Sequence, residues 1–89
     1  MARDHIKIYR NKVCVRFALP EGVVYIRMFD NYHDAEQFIE RLNKEDEERL
    51  FIGIYNFQSV EGKLADGLIK SFLKISEDLG DILPTTRLN

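Results

Sequence analysis

Two histidines, His5 and His33, one cysteine, Cys14, and the carboxylate run Glu45-Asp46-Glu47-Glu48 are the side chains of this 89-residue chain with the widest chemical reach. A zinc site needs three or four ligands at short, regular spacing, and neither histidine has a second ligand at such a distance. A reactive thiol needs a base or a helix N-terminus beside it. Cys14 sits inside a run of alternating residues, where cysteine is ordinarily a small packing side chain. Ser59, Ser71 and Ser76 have neither an elbow motif nor triad partners in view. Gly62-Lys63 lacks the glycine-rich loop of a phosphate cradle, and there is no GxGxxG. Acid–base chemistry needs carboxylates in a cleft that perturbs them, whereas Glu45–Glu48 read as a solvated helix end. No set of residues satisfies the requirements of an active site. The chain is therefore expected not to be an enzyme and to need no metal or cofactor.

What remains is surface chemistry. Placing Ile6, Ile8, Val13, Val15, Val24 and Ile26 toward helices leaves Lys7, Tyr9, Cys14, Arg16, Tyr25 and Arg27 on the opposite sheet face. Tyrosine and arginine are enriched at binding hot spots, and they also stack on bases and pair with phosphates. The ordinary alternative is a solvent-facing sheet surface, commonly polar and aromatic. Residues 1–29 carry six basic and two acidic side chains, a charge of +4, while residues 30–89 carry seven basic and thirteen acidic, a charge of −6. A basic sheet end and an acidic helical end follow. The expected partner-binding residues are Lys7, Tyr9, Arg16, Tyr25 and Arg27 on the sheet, with Glu45, Asp46, Glu47 and Glu48 as a second patch.

The elements that would position these residues can be read from periodicity. His5 to Arg10 alternates as a first strand, with Asn11-Lys12 as a tight turn. Val13, Val15, Phe17 and Leu19 form the inner row of a second strand, and Cys14, Arg16 and Ala18 its outer row. Pro20-Glu21-Gly22 is a turn. Val24, Ile26 and Met28 alternate with Tyr25, Arg27 and Phe29 in a third strand. Asn31 is a helix N-cap with Asp34 in the first turn, and Ala35, Phe38, Ile39 and Leu42 make one apolar stripe. Leu50 to Phe57 suits a fourth strand, with a bulge or close approach at Gly53. Ser59 would cap a second helix with Glu61 in its first turn. In that helix Leu64, Ala65, Leu68, Phe72, Ile75 and Leu79 form the core stripe, widened by Ile69 and Leu73. Gly80 and Pro84 stop it.

The resulting class is α+β: a three-stranded antiparallel meander, a helix, a fourth strand and a second helix (β-β-β-α-β-α), with both helices on one sheet face. A crossover through the first helix would set the fourth strand parallel to the third. Residues 1–80 make a single domain and residues 81–89 a C-terminal tail in which Ile82 and Leu83 could dock. A chain this short buries roughly two-thirds of its unfolded surface, enough for one core.

The span Ile6–Leu42, through the Phe29-Asp30 step into Ala35-Glu36-Gln37-Phe38, resembles the meander-plus-helix of AP2-type and integrase arm-binding domains. That likeness implies a three-stranded sheet reading the DNA major groove. In element order and size, FDNYHDAEQF after a meander and a final helix at Leu64–Leu79 resemble small phage-encoded anti-CRISPR inhibitors. That likeness implies a protein that docks on a nucleic-acid-handling complex.

The leading expectation is thus a non-enzymatic protein-binding domain, a small phage-type inhibitor or adaptor with a protein partner. The alternative is a DNA- or RNA-binding domain using the basic, tyrosine-containing sheet face. A third reading is a homodimer through the wide stripe that includes Ile69 and Leu73. There is no apolar run near the roughly 20 residues that cross a bilayer and no signal-peptide segment, and a lone cysteine suits a reducing compartment. No membrane association and a cytoplasmic location are expected.

Overall fold

A computed structural model describes residues 6–44 and 49–82. These residues form an α+β domain in the order β1 (Val13–Ala18), β2 (Val24–Phe29), α1 (Tyr32–Lys44), β3 (Leu50–Asn56) and α2 (Gly62–Leu79). The sheet is antiparallel with strand order β2-β1-β3. β2 and β3 therefore run in the same direction, joined through α1, with β1 inserted between them. The expected parallel direction of the last strand and its predecessor is present, but the strand joins the free edge of β1.

Four expectations change. The described residues of the expected first strand, His5 to Arg10, are instead helical at Ile6 and Lys7 and run into a turn, with the bonds Tyr9 N–H to Ile6 C=O (3.0 Å) and Arg10 N–H to Lys7 C=O (3.2 Å). Ile6 lies two residues from Ile8 and three from Tyr9, so an apolar run this short satisfies either period. Both edges of β1 are already taken by β2 and β3, leaving no place beside it for another strand. Among the described residues the sheet thus has three strands rather than four, and β1 and β2 are its strands before α1.

The second change is the side of the sheet on which each helix lies. The three-residue loop Pro20–Gly22, with Gly22 at φ +91°, pairs Ala18 with Val24, Arg16 with Ile26 and Cys14 with Met28. Residues of equal parity therefore share a face. Val13, Val15 and Phe17 lie with Tyr25, Arg27 and Phe29, and α1 covers them through Ala35, Phe38 and Leu42. Cys14, Ile26 and Met28 lie on the other face under Ala65, Ile69 and Phe72 of α2. The helices are on opposite faces, not one. The cause is that β1 is apolar on both sides, so each face requires a cover.

The third change is the start of α2. Its N-cap is Glu61, whose side chain makes no capping bond, and Ser59 lies outside the helix in an exposed turn. The fourth is its apolar stripe, described below. Other local readings stand. Asn31 Oδ1 accepts the Asp34 N–H at 2.8 Å while Asn31 Nδ2 donates to the Asp34 carboxylate at 3.2 Å, a reciprocal cap of α1. The register slips between Arg16 and Phe17 as they pair with Gly53 and Phe51, leaving Ile52 as the extra residue of a bulge. At Gly53 a β-carbon would stand 3.5 Å from the Tyr55 ring, which lies across that position.

Candidate protein-binding face

Among the described residues the side chains with chemical reach are not assembled into a site. Cys14 is fully buried, and loss of water around it pushes its thiol up to about 12, so the reactive thiolate is suppressed. His33 is exposed in the first turn of α1, beside a shallow recess of about 400 Å³ formed with Tyr32, Glu36, Phe51 and Ile54. Among the described residues no three His, Cys, Asp or Glu side chains are grouped as a metal would need. His5 and Glu45–Glu48, the second expected patch, lie outside the described residues.

The five residues expected on one basic sheet face are dispersed. Lys7 is exposed on the helical turn at residues 6–11, while Tyr9 of the same turn is fully buried against Phe72 of α2. Tyr9's phenol is pushed up to about 12, mainly by burial. Arg16 faces α2. It donates from Nε to Asp81 at 2.5 Å and from Nη2 at 3.2 Å, and it also bonds the Tyr55 phenol. The Asp81 side chain is wholly buried and that of Arg16 is 16% exposed, so this pair is committed to the fold. Tyr25 and Arg27 are on the α1 face: Tyr25 stacks on Phe17 with centroids 6.0 Å apart, and the exposed Arg27 guanidinium stands 5.0 Å over the Phe38 ring. The expected sheet face fails because both sides of the sheet carry a helix. Arg16 and Arg27 each found a partner within the domain, while Lys7 stands exposed.

α2 carries a different surface. Its buried arc is Ala65, Ile69, Phe72 and Ser76. Leu64, Leu68, Ile75 and Leu79, expected in the core stripe, are 71%, 50%, 58% and 60% exposed. At 3.6 residues per turn these four fall within about 60° of one another around the axis. They form a straight apolar stripe beside the buried arc. Ile69 and Leu73, expected to widen the surface, are instead buried and half-buried in the core. On β3, Leu50, Ile52 and Tyr55 are also exposed, and Tyr55 tilts against Phe72 at 4.7 Å.

α2 is held in place without using this stripe. Near its N-terminus Asp66 receives two bonds from Arg10, at 2.8 and 2.6 Å. The Arg10 hydrogen bonds hold the Asp66 carboxyl below its ordinary range. At its C-terminus Gly80, at φ +79°, directs its N–H to Glu77 and the Asp81 N–H to Ser76, a six-to-one closure that a left-handed residue permits. That turn delivers Asp81 to Arg16. Ile82 then forms a parallel bridge beside β2, donating to Val24 at 2.8 Å and accepting from Ile26 at 3.0 Å. The start of the expected tail is therefore docked on the sheet edge.

The one sequence signal for the exposed stripe was surplus. Eight apolar residues between Leu64 and Leu79 exceed what one side of a helix against a three-stranded sheet can cover. The fold and this face define a small three-layer domain with one uncovered apolar helix surface. No protein-family model, curated protein or solved structure matches the chain. No helix among the described residues is long and apolar enough to cross a membrane.

Proposed function

We propose that the chain is a non-catalytic protein-binding domain with α2 as its working face. The observation that supports this is the exposed row Leu64, Leu68, Ile75 and Leu79 on a helix already fixed through its other side. Contiguous apolar surface of this kind marks interaction sites on small proteins. Covering each half-exposed side chain is worth roughly 1 kcal/mol before the costs of association. An apolar helix face laid into a partner groove, read through anchors one and two turns apart, is a recurrent recognition mode. The nucleic-acid reading requires an open basic sheet surface, and in this fold both sheet faces carry helices.

Capture from a native lysate, with and without nuclease, tests the reading using the wild type, Leu68→Glu and Glu40→Lys as baits. Glu40 is exposed on α1, far in kind from the apolar stripe. The expected result is one protein retained by wild type and Glu40→Lys under both treatments and lost with Leu68→Glu. Capture that survives Leu68→Glu removes α2 as the working face. Capture that vanishes with nuclease means that nucleic acid bridges the complex.

A further inference from the structure

Resting on the reading of α2 as a binding face, we infer that its occupant is a second copy of this chain, with the two α2 helices packed antiparallel about a twofold axis at Ser71–Phe72. Two observations carry this. The first is the symmetry of the stripe. Its members are separated by intervals of four, seven and four residues, so Leu64 and Leu79 are equidistant from the midpoint, as are Leu68 and Ile75. A twofold interface must be self-complementary. Reversing this stripe returns the same stripe, so Leu64 meets Leu79 of the other copy and Leu68 meets Ile75. The residue at the midpoint on the exposed side is the small Ser71, which lets the two helices approach closely.

The second observation is charge. α2 has no acidic side chain in its first turn and no basic one in its last; it carries Lys63 at the start and Glu77 and Asp78 at the end. The carboxyl end thus bears the charge that its own helix dipole disfavours, while the amino end carries Lys63 beside the N-cap Glu61. An antiparallel neighbour reverses the account: carboxylates from one copy lie beside the amino end and Lys63 of the other. A parallel neighbour would place like charges together, and an uncharged groove would leave the pattern unanswered.

Sedimentation velocity across a dilution series from micromolar to sub-millimolar is the test. The expected species has twice the 10.5 kDa chain mass. Leu68→Glu appears twice in such an interface and should weaken association by more than about a hundredfold. Lys63→Glu and Asp78→Lys should each weaken it roughly three- to thirtyfold, the effect of two symmetry-related exposed pairs. The double variant should restore it. Within one chain these two residues are four turns apart and both reversals suit the dipole, so unfolding curves of the dilute variants should match or exceed wild type. That separates lost pairing from lost folding. A dimer that survives Leu68→Glu, or charge reversals that are not restored in combination, overturns the antiparallel assignment. A monomer at every concentration that still captures another protein through Leu68 overturns self-pairing and leaves the binding face intact. A monomer with no Leu68-dependent capture overturns both.

Discussion

α1 and α2 cover opposite faces of the same three strands, yet they meet the solvent in different ways. α1 spends its whole apolar stripe on the sheet. Ala35, Phe38 and Leu42 are buried, Phe38 lies edge-on to Phe17 at 5.2 Å, and its outer side is Glu36, Gln37, Glu40 and Arg41. α2 buries one arc, is pinned near its ends by Arg10–Asp66 and Arg16–Asp81, and leaves a second apolar arc uncovered. A helix needs one apolar stripe to belong to a fold. A second stripe left half-exposed contributes little within the domain, and it is the surface on which the proposed binding role rests.

Truncation of equivalent-looking residues should expose this contrast most sharply. Phe38→Ala is expected to cost about 3–5 kcal/mol, the usual result of emptying a packed aromatic site. Leu68→Ala should change the stability of the dilute protein by less than about 1 kcal/mol. Equal costs in urea unfolding would mean that the α2 stripe is covered within the chain. Next in size is Arg16→Ala, which leaves the buried Asp81 carboxylate without its cation. It should cost about 3 kcal/mol and detach Ile82 from the edge of β2. Faster amide exchange at Ile82 and Ile26 would report that detachment, and unchanged exchange there would show that the ion pair does not anchor this end of α2.

The smallest effect is at the other pin. Arg10 depresses the folded-state value of Asp66, so the unfolded chain binds more protons there. The stability from this pair is fully present above the ordinary aspartate value of 3.8 and is lost as pH falls through the lower folded value. Asp66→Asn should flatten that part of the acid limb in denaturation curves taken at successive pH values. An acid limb identical to wild type would mean that the pair contributes nothing to holding α2.

Much of the local structure was legible in the residues themselves. Asn31 and Asp34 cap α1 because the cap needs only groups three positions apart. Gly53 marks a bulge and Gly80 a helix end because both requirements are carried by the backbone of a few neighbouring residues. β1 and β2 follow from period, α1 from its cap and apolar stripe, and β3 from a short apolar and aromatic run. The candidate face was half legible: the apolar surplus of α2 could be counted, but not which of its arcs would be used.

That choice belongs to tertiary structure. Ala65, Ile69 and Phe72 were selected for the core over Leu64, Leu68 and Ile75 by the side from which α2 approaches the sheet, and Arg10 and Arg16, distant in sequence, set that side through Asp66 and Asp81. The same holds for the sheet faces. Alternation in β1 and β2 showed two rows in each strand, but which rows share a face is decided by the pairing register, set by the Pro20–Gly22 loop. Whether a row meets water or a helix depends on packing that no neighbouring residue encodes. Composition and spacing determined β1, β2, β3, both helices and the caps at Asn31 and Gly80, but not the turn before β1 or the start of α2. Only long-range contacts decided that Tyr9 and Arg16 would be absorbed into the fold and that Leu64 and Leu68 would remain outside it.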